Sequence, residues 1–307
     1  MRLLRGCYLW GERLMSIQIV SSFQGESSSG TLFLVPTPIG NLGDMSPRAI
    51  ETLRAVDLIA AEDTRNTQKL LNHFEIETHQ ISFHEYNTKE RIPQLIDKLE
   101  QGLSLAQVSD AGMPSISDPG SELVEACVAK GIRVVPIPGP NAALTALIAS
   151  GLVPQPFLFY GFLSRKNTER AEQLAQLTPQ TVTLIFYEAP HRLLKTLKSL
   201  VTAFGEDRKI VLCRELTKRY EEFLRGTLAE AVEWAGSSEV RGEFVLIVEG
   251  NQAPPEEEAK VVLPLDQQVE MLIKSENLKT NDAIKKVAKQ NKLKKQVVYN
   301  EYHHLNS

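Results

Sequence analysis

The chain has 307 residues, 42% apolar and 23% charged, with a formal net charge of −4, which suits a soluble globular protein of about two domains or slightly more and argues against a surface coated in basic groups. Cys7, Cys127 and Cys213 stand far apart with no CxxC pair, so neither a disulfide framework nor a zinc ribbon is suggested and a reducing cytoplasm fits best. No apolar run reaches about 18 residues, so no membrane span is expected.

Residues 1–29 start MRLLRGCYLWGERLM and end in GESSSG. They lack the apolar core and small-residue cleavage site of a signal peptide, so a flexible N-terminal extension is expected, with Met15 as an alternative start. From Thr31 the texture changes. TLFLV is a β-rich run leading into PTPIGNLGD, and SPRAIETLRAV has a Ser-Pro helix start with Ile50, Leu53 and Val56 at helical spacing. DLIAAEDTRN with TQKLLNHF repeats the unit, and HQISFHEYN with ERIPQLIDKLEQG gives a third. In LAQVSDAGMPSISDPG, Leu105–Ser109 reads as a buried strand whose glycine- and proline-rich exit opens into a helix near Gly120. GIRVVPIPGPNAALTALIASG supplies a fifth unit. Five successive βα units predict a largely parallel, helix-covered sheet, because parallel strands need right-handed crossovers. In such sheets ligands sit off the carboxyl ends of strands, where loop amides and helix N-termini converge. The first domain is therefore placed at 30–153, with its ligand at the exit of the strand that starts at Leu105.

VPQPF, at 153–157, reads as a hinge. Strands and helices alternate again from FLFYGFL to GEFVLIVEG, which predicts a second α/β domain over 154–252 and a cleft at the join. NQAPPEEEAK, at 251–260, reads as solvated by its proline and acidic content, which places a linker at 253–260. Residues 261–307 hold three helical patterns and carry net +3, against −7 for the rest. Three short helices with Lys285, Lys286, Lys289, Lys292, Lys294 and Lys295 clustered together suggest a helix-turn-helix-like module. The plain alternative is a small packing module with a wet lysine face.

PTPIGNLGD has neither the G-x-G-x-x-G spacing nor a Walker phosphate loop, which removes the main support for nicotinamide or nucleoside-triphosphate chemistry. Taken in order, GTLFLVPTPIGNLGD, AAEDTR, VSDAGMPSISDPG, PIPGPNA, YGFLSRK, FYEAPHRL and GEFVLIVEG closely resemble the bacterial ribosomal RNA ribose methyltransferases of the tetrapyrrole methylase superfamily. The resemblance spans about residues 30–252 and extends to the C-terminal helical appendage. It implies two α/β domains of the tetrapyrrole methylase type with the cofactor cleft between them, a homodimer, and transfer of a methyl group from S-adenosylmethionine to the ribose 2′-hydroxyl of a decoding-region cytidine in small-subunit ribosomal RNA. The cofactor-binding positions it implies are Pro38, Ile39 and Gly40; Asp110, Ala111, Gly112, Met113, Pro114, Ser115 and Ile116; Pro138, Gly139, Pro140, Asn141 and Ala142; and Ala189. Met113 stands where relatives often carry threonine, so a backbone contact must replace that hydroxyl here.

Methyl transfer from a sulfonium is an in-line displacement, so positioning and exclusion of water carry much of the rate, with effective molarities of ~10⁵–10⁸ M within reach. A ribose hydroxyl is a poor nucleophile. Glu62, Asp63, His84 and Glu85, all at strand exits, are the candidates to orient or deprotonate it. Arg65, Arg165, Lys166 and Arg192 suit RNA phosphates. The plain alternatives are a local ion pair of Glu62, Asp63 and Arg65 capping the next helix, a satisfied surface role for His84, and a core role for Phe186 and Tyr187. His73, His79 and His84 match no zinc spacing, and no metal is assigned. Two other functions share these features: a tetrapyrrole or corrin carbon methylase on the same fold, and a non-catalytic nucleic-acid-binding regulator acting through the last 47 residues.

Overall fold

The computed structural model describes residues 29–252 and 263–305, apart from 277 and 292, together with 8–10, 13–15, 18 and 20–22. The expected linker at 253–260 lies outside the described residues, as does much of the N-terminal extension. Within that extension β1 (Tyr8–Trp10) and β2 (Arg13–Met15) pair antiparallel, with Trp10 opposite Arg13.

The first half runs β3 (Thr31–Leu34), α1 (Pro47–Ala55), β4 (Leu58–Ala61), α2 (Thr64–His73), β5 (Gln80–Ser82), α3 (Thr88–Glu100), β6 (Leu105–Val108), α4 (Ser121–Ala129), β7 (Arg133–Pro136) and α5 (Ala142–Ser150). Helix α1 starts where local chemistry dictates: Pro47 occupies the first turn and Ser46 Oγ accepts from the Ala49 amide at 3.2 Å. The five strands form one parallel sheet in the order β5-β4-β6-β3-β7. Side chains alternate across it, as a two-residue period requires. Ile59 and Ala61 join the layer under α1 and α2, whereas Leu58 and Ala60 join the layer under α3 and α4. Both faces are covered, so the strands read as continuous apolar runs.

The strand order contains a reversal. From β3 the chain crosses to β4 on one side, and from the adjacent β6 it crosses to β7 on the other. Right-handed crossovers in opposite directions place α1 and α4 on opposite faces and open a crevice above the carboxyl ends of β3 and β6, where open α/β sheets bind ligands.

The second half holds β8 (Phe157–Phe162), α6 (Asn167–Leu177), β9 (Thr183–Glu188), α7 (Leu193–Phe204), β10 (Lys209–Arg214), β11 (Glu222–Thr227), α8 (Leu228–Ser237) and β12 (Phe244–Val248). Its sheet, β11-β10-β12-β9-β8, is mixed: β8 and β9 are parallel and every other pair is antiparallel. Helices α6, α7 and α8 cover one face. The other face is covered by α5, whose Ala143, Ala146 and Leu147 pack on Ile185, Val211, Val245 and Ile247. The fifth helix thus belongs to the second sheet and not, as the run of βα units suggests, to the first. Its small residues allow close approach, and it ties the two sheets into one body.

The chain divides by contacts between Asn251 and Gln252. The C-terminal unit contains α9 (Leu265–Glu276), α10 (Thr280–Gln290) and α11 (Lys295–Tyr302) around a core of Val269, Ala283, Ile284, Val287 and Val298. Of its lysines, Lys286 is paired with Glu276 and Lys274 with Glu270.

Candidate active site

Three loops leaving the first sheet interlock at the crevice. Thr37 and Gly112 exchange two backbone hydrogen bonds of 3.0 Å each, and Thr37 Oγ1 donates to the Ser109 carbonyl at 3.1 Å. Gly112 has φ +81°, and a Cβ there would sit 3.4 Å from Ile39 and 3.8 Å from the Pro140 carbonyl. This left-handed position is one that L side chains adopt only under strain. Asn141 caps α5, its Oδ1 accepting from the Leu144 amide at 2.9 Å.

From the second sheet, the loop after β10 closes toward the first. A Cβ on Gly40 would lie 2.4 Å from Lys218 Cγ, so only glycine lets the 36–44 loop meet this one. Ser115 and Ser117 on one side, and Glu215 and Thr217 on the other, all have positive φ between 50° and 70°. Strained backbone of this kind clusters at functional sites.

The two sheets enclose a cavity of about 300 Å³, within the ~300–1,000 Å³ range of small-molecule sites. Ile39, Met113, Ile116 and Ala142 line it from the first half, and Phe162, Tyr187, Leu216 and Phe244 from the second. Two charged groups interrupt these apolar walls. Lys218 Nζ lies 3.0 Å from Glu215 Oε1 and 2.9 Å from Glu243 Oε2. Burial works against its charge, but those two carboxylates outweigh burial and raise its pKa. The other group is acidic and consists of Glu62, Asp110 and Asp118. The Asp110 amide donates to Glu62 Oε2 at 3.1 Å. Burial raises the Glu62 carboxyl despite that bond, with the charges of Asp110 and Asp63 adding to the rise. Burial, then the charge of Glu62, pushes Asp118 up to about 6.

Behind Ala189, the Glu188 carboxylate is buried at 2% exposure. It accepts from the Ala189 amide at 2.9 Å and from Thr196 Oγ1, and pairs with Arg192 Nε at 3.3 Å. Tyr187 lines the cavity, its hydroxyl accepting from the Ala143 amide at 3.2 Å, whereas Phe186 is wholly buried core.

Of the expected cofactor positions, Ile39, Asp110, Ala111, Gly112, Met113, Ile116, Asn141, Ala142 and Ala189 line this cavity. Pro38 and Gly40 line a neighbouring one. Pro114, Ser115, Pro138, Gly139 and Pro140 belong to the same loops without lining either. Of the four groups named for the hydroxyl, Glu62 alone lines the cavity. Asp63 instead caps α2 through the Arg65 amide at 2.8 Å and grips the Arg65 side chain at 2.7 Å. The Arg65 hydrogen bonds hold the Asp63 carboxyl well below the usual range. His84 stands near enough for its charge to act on Glu62, its Nδ1 buried without a partner, and Glu85 is exposed. Arg165 and Lys166 are exposed on a loop anchored by buried Arg170, which donates to the Ser164 carbonyl at 3.1 Å and Ser199 Oγ at 3.0 Å. Arg192, expected on a phosphate, turns inward to Glu188 and the Leu163 carbonyl. Sequence reasoning missed Asp118, although it lies inside SISDPG, and the Glu215–Lys218–Glu243 group, which only the mixed sheet assembles. Among the described residues no group of three His, Cys, Asp or Glu side chains is arranged to hold a metal, and no helix is long and apolar enough to cross a membrane.

A family model described as tetrapyrrole (corrin/porphyrin) methylases matches residues 31–232. The "Ribosomal RNA small subunit methyltransferase I" of Bacillus subtilis is 51% identical over 92% of this chain and 97% of its own, and that of Synechocystis is 54% identical over 74% and 81%. Among solved structures, uroporphyrin-III C-methyl transferase from Thermus thermophilus complexed with S-adenyl homocysteine superposes with a TM-score of 0.52 at 17% identity, covering 72% of this chain and 97% of that one. With two thirds of its length matched to the model and 51% and 54% identity to these relatives over the aligned residues, the chain belongs to the tetrapyrrole methylase family, in the branch formed by the ribosomal RNA small subunit methyltransferases I.

Proposed function

We propose that this enzyme transfers the methyl group of S-adenosylmethionine to the ribose 2′-hydroxyl of a cytidine in the decoding region of small-subunit ribosomal RNA. The reading rests on one observation above all: a cavity between the sheets whose apolar walls are interrupted at the reversal of strand order by the acidic cluster of Glu62, Asp110 and Asp118. The names of the relatives supply the substrate class.

The lining fits the cofactor. A sulfonium is a cation, and carboxylates in a partly dehydrated cavity attract it more strongly than water would allow. Apolar walls suit an adenosine, and the loop backbone at Gly112 comes within reach because no Cβ intervenes. Ile39, Gly112, Met113, Ala142 and Ala189 would hold it. Bound there, it supplies an electrophilic methyl group.

The chain's own residues do the rest. Asp118, with its carboxyl near 6, is mostly ionised at neutral pH yet basic enough to accept the hydroxyl proton, the balance that general-base catalysis favours. Glu62 keeps that carboxyl high and orients the hydroxyl. Arg165 takes RNA phosphates; Arg65, paired with Asp63 at 2.7 Å, and Lys166, paired with Glu169 at 2.8 Å, would reach them by exchanging those surface ion pairs, and the C-terminal lysines add a second basic face. The same resemblance assigns the enzyme to the cytoplasm as a homodimer, which light scattering at a mass twice that of the chain would support.

The decisive experiment incubates small ribosomal subunits lacking the modification with labelled S-adenosylmethionine and then digests the RNA with alkali. A 2′-O-methyl group blocks cleavage of its own 3′ linkage, so label survives in a dinucleotide. Label confined to mononucleotides, or transfer to a tetrapyrrole but not to RNA, would overturn the proposal. Deleting 253–307 separates enzyme from regulator: the enzyme keeps its cofactor affinity, whereas a regulator loses all binding.

A further inference from the structure

Strand β8 changes phase at its carboxyl end. Leu158 and Tyr160 pack on the side of the second sheet covered by α6, α7 and α8, and Phe159 packs on the α5 side. Strict alternation would send Phe162 into the helix-covered core and Leu163 to the opposite face. The pairing with β9 instead slips by one residue: Phe159 lies opposite Ile185, Gly161 opposite Phe186 and Phe162 opposite Tyr187. Tyr160 is therefore the extra residue of a β-bulge, and Gly161 takes φ +82°, a left-handed conformation that suits glycine. The bulge exchanges the next two side chains. Leu163 is buried in the core, and Phe162 lines the cavity beside Tyr187. Bulges recur next to active sites because they re-aim a side chain in this way.

The re-aimed ring is 52% exposed, so it stands at the mouth of the cavity and not within it. It meets Tyr187 edge-on, with ring centres 5.6 Å apart at 66°, a contact that covers at most one of its faces and leaves the other open. Tyr187 is itself fixed, by an edge contact with Phe159 at 5.0 Å and by the Ala143 amide. On the other side, a Cβ on Gly161 would lie 3.4 Å from Ser117 Oγ, and Ser117 and Asp118 line the same cavity as Phe162. The ring thus stands beside the carboxylate that takes the hydroxyl proton in the proposed mechanism. Three residues further on, Arg165 is exposed, and buried Arg170 holds the carbonyls of Ser164 and Arg165 at 3.1 and 3.4 Å.

A nucleotide whose 2′-hydroxyl enters a cavity between two sheets leaves its stacked neighbours, and the protein has to replace the stacking it loses. We infer that Phe162 is the platform for the base of the methylated nucleotide. The base lies on the open face of the ring, its ribose comes to Asp118, and an adjoining phosphate falls to Arg165. Stacking accepts any base, so this contact positions the nucleotide and leaves the choice of cytidine to other groups. The inference rests on the proposed RNA methyl transfer.

Undermethylated small ribosomal subunits and labelled S-adenosylmethionine test it. Phe162→Leu keeps an apolar side chain at a half-exposed position and removes the π-face, so the variant folds with an unchanged thermal midpoint. Its kcat/KM for subunits should fall about tenfold, within the range for losing one base–aromatic stack. Phe162→Tyr restores the ring and should restore the rate. In both variants the Kd for S-adenosylmethionine by calorimetry matches that of the unmodified enzyme. A leucine variant as active as the unmodified enzyme, or a tyrosine variant as impaired as leucine, overturns the platform. A cofactor Kd that rises as the rate falls also overturns it, since the ring would then serve the cofactor. So does a leucine variant whose mass by light scattering drops to half that of the unmodified enzyme, since the ring would then seal a contact between two copies. Failure of the unmodified enzyme to methylate RNA at all would refute the proposed function, and this inference with it.

Discussion

The Asp110 amide and the Glu62 carboxylate, 3.1 Å apart, join the exits of β4 and β6. The bond turns one carboxylate oxygen toward a main-chain donor and leaves Glu62 lining the cavity with Asp110 and Asp118. Glu62→Gln keeps an acceptor for that amide and removes the charge. We expect single-turnover rates to fall about 10²-fold, the low end for loss of a group that assists proton transfer, with cofactor affinity changed less than in Asp110→Ala. Calorimetric titration of both variants checks the order, and a larger cofactor defect in the Glu62 variant would misplace the cradle.

Asp118 makes the pH dependence specific. Its carboxyl is raised from an ordinary 3.8 to about 6, by burial and then by Glu62. A base must be ionised, so kcat/KM should climb as pH rises through about 6 and then level, and Asp118→Asn should flatten that limb. Stability runs the opposite way. Between pH 3.8 and 6 the folded protein binds a proton at Asp118 that the unfolded chain has released, so this group costs stability progressively as pH rises through the window. Above it, Asp118→Asn should gain on the order of 1 kcal/mol once solvent screening of this half-buried group is discounted, and near pH 4 it should gain nothing. Thermal melts at the two pH values decide the matter.

Gly112→Ala places a methyl group on a backbone at φ +81°, 3.4 Å from Ile39. The left-handed conformation alone costs about 1–2 kcal/mol. Because Gly112 is hydrogen-bonded to Thr37 in both directions, the strain falls on the cradle, and cofactor affinity should drop more than global stability does. Equal losses in chemical denaturation and in cofactor titration would argue against a cradle role.

The Glu188–Arg192 pair is structural. The Glu188 side chain is buried, at 1% exposure, and that of Arg192 is partly buried, at 15%. Glu188→Ala takes the counter-charge from a partly buried guanidinium and removes the acceptor of the Ala189 amide and Thr196 Oγ1, and should cost about 3 kcal/mol, the low end for breaking a buried pair, read from urea midpoints. Arg192→Lys loses the donation to the Leu163 carbonyl and should destabilise less, without altering the salt dependence of RNA binding. A changed salt slope would restore Arg192 to the phosphate contacts.

The sequence alone determined most of the strands and helices between residues 31 and 150, because apolar period, Ser-Pro helix starts and glycine-rich exits are local signals, but not the strands β1, β2 and β11. Helix α1 begins at Pro47 and α4 at Ser121 as those signals dictate, and glycine and proline mark the loops 36–44, 110–120 and 138–142 as polar exits from strands, where a ligand is expected. It also left open whether Glu62, Asp63 and Arg65 form a capping cluster or a site. Only the tertiary structure divided them: the hydrogen bonds of Asp63 and Arg65 are satisfied within two residues, whereas Glu62 meets Asp110 across 48 positions of chain. Likewise, strand direction in the second sheet, the seat of α5, the inward turn of Arg192 and the meeting of Gly40 with Lys218 depend on contacts between residues far apart in sequence, which no local periodicity encodes.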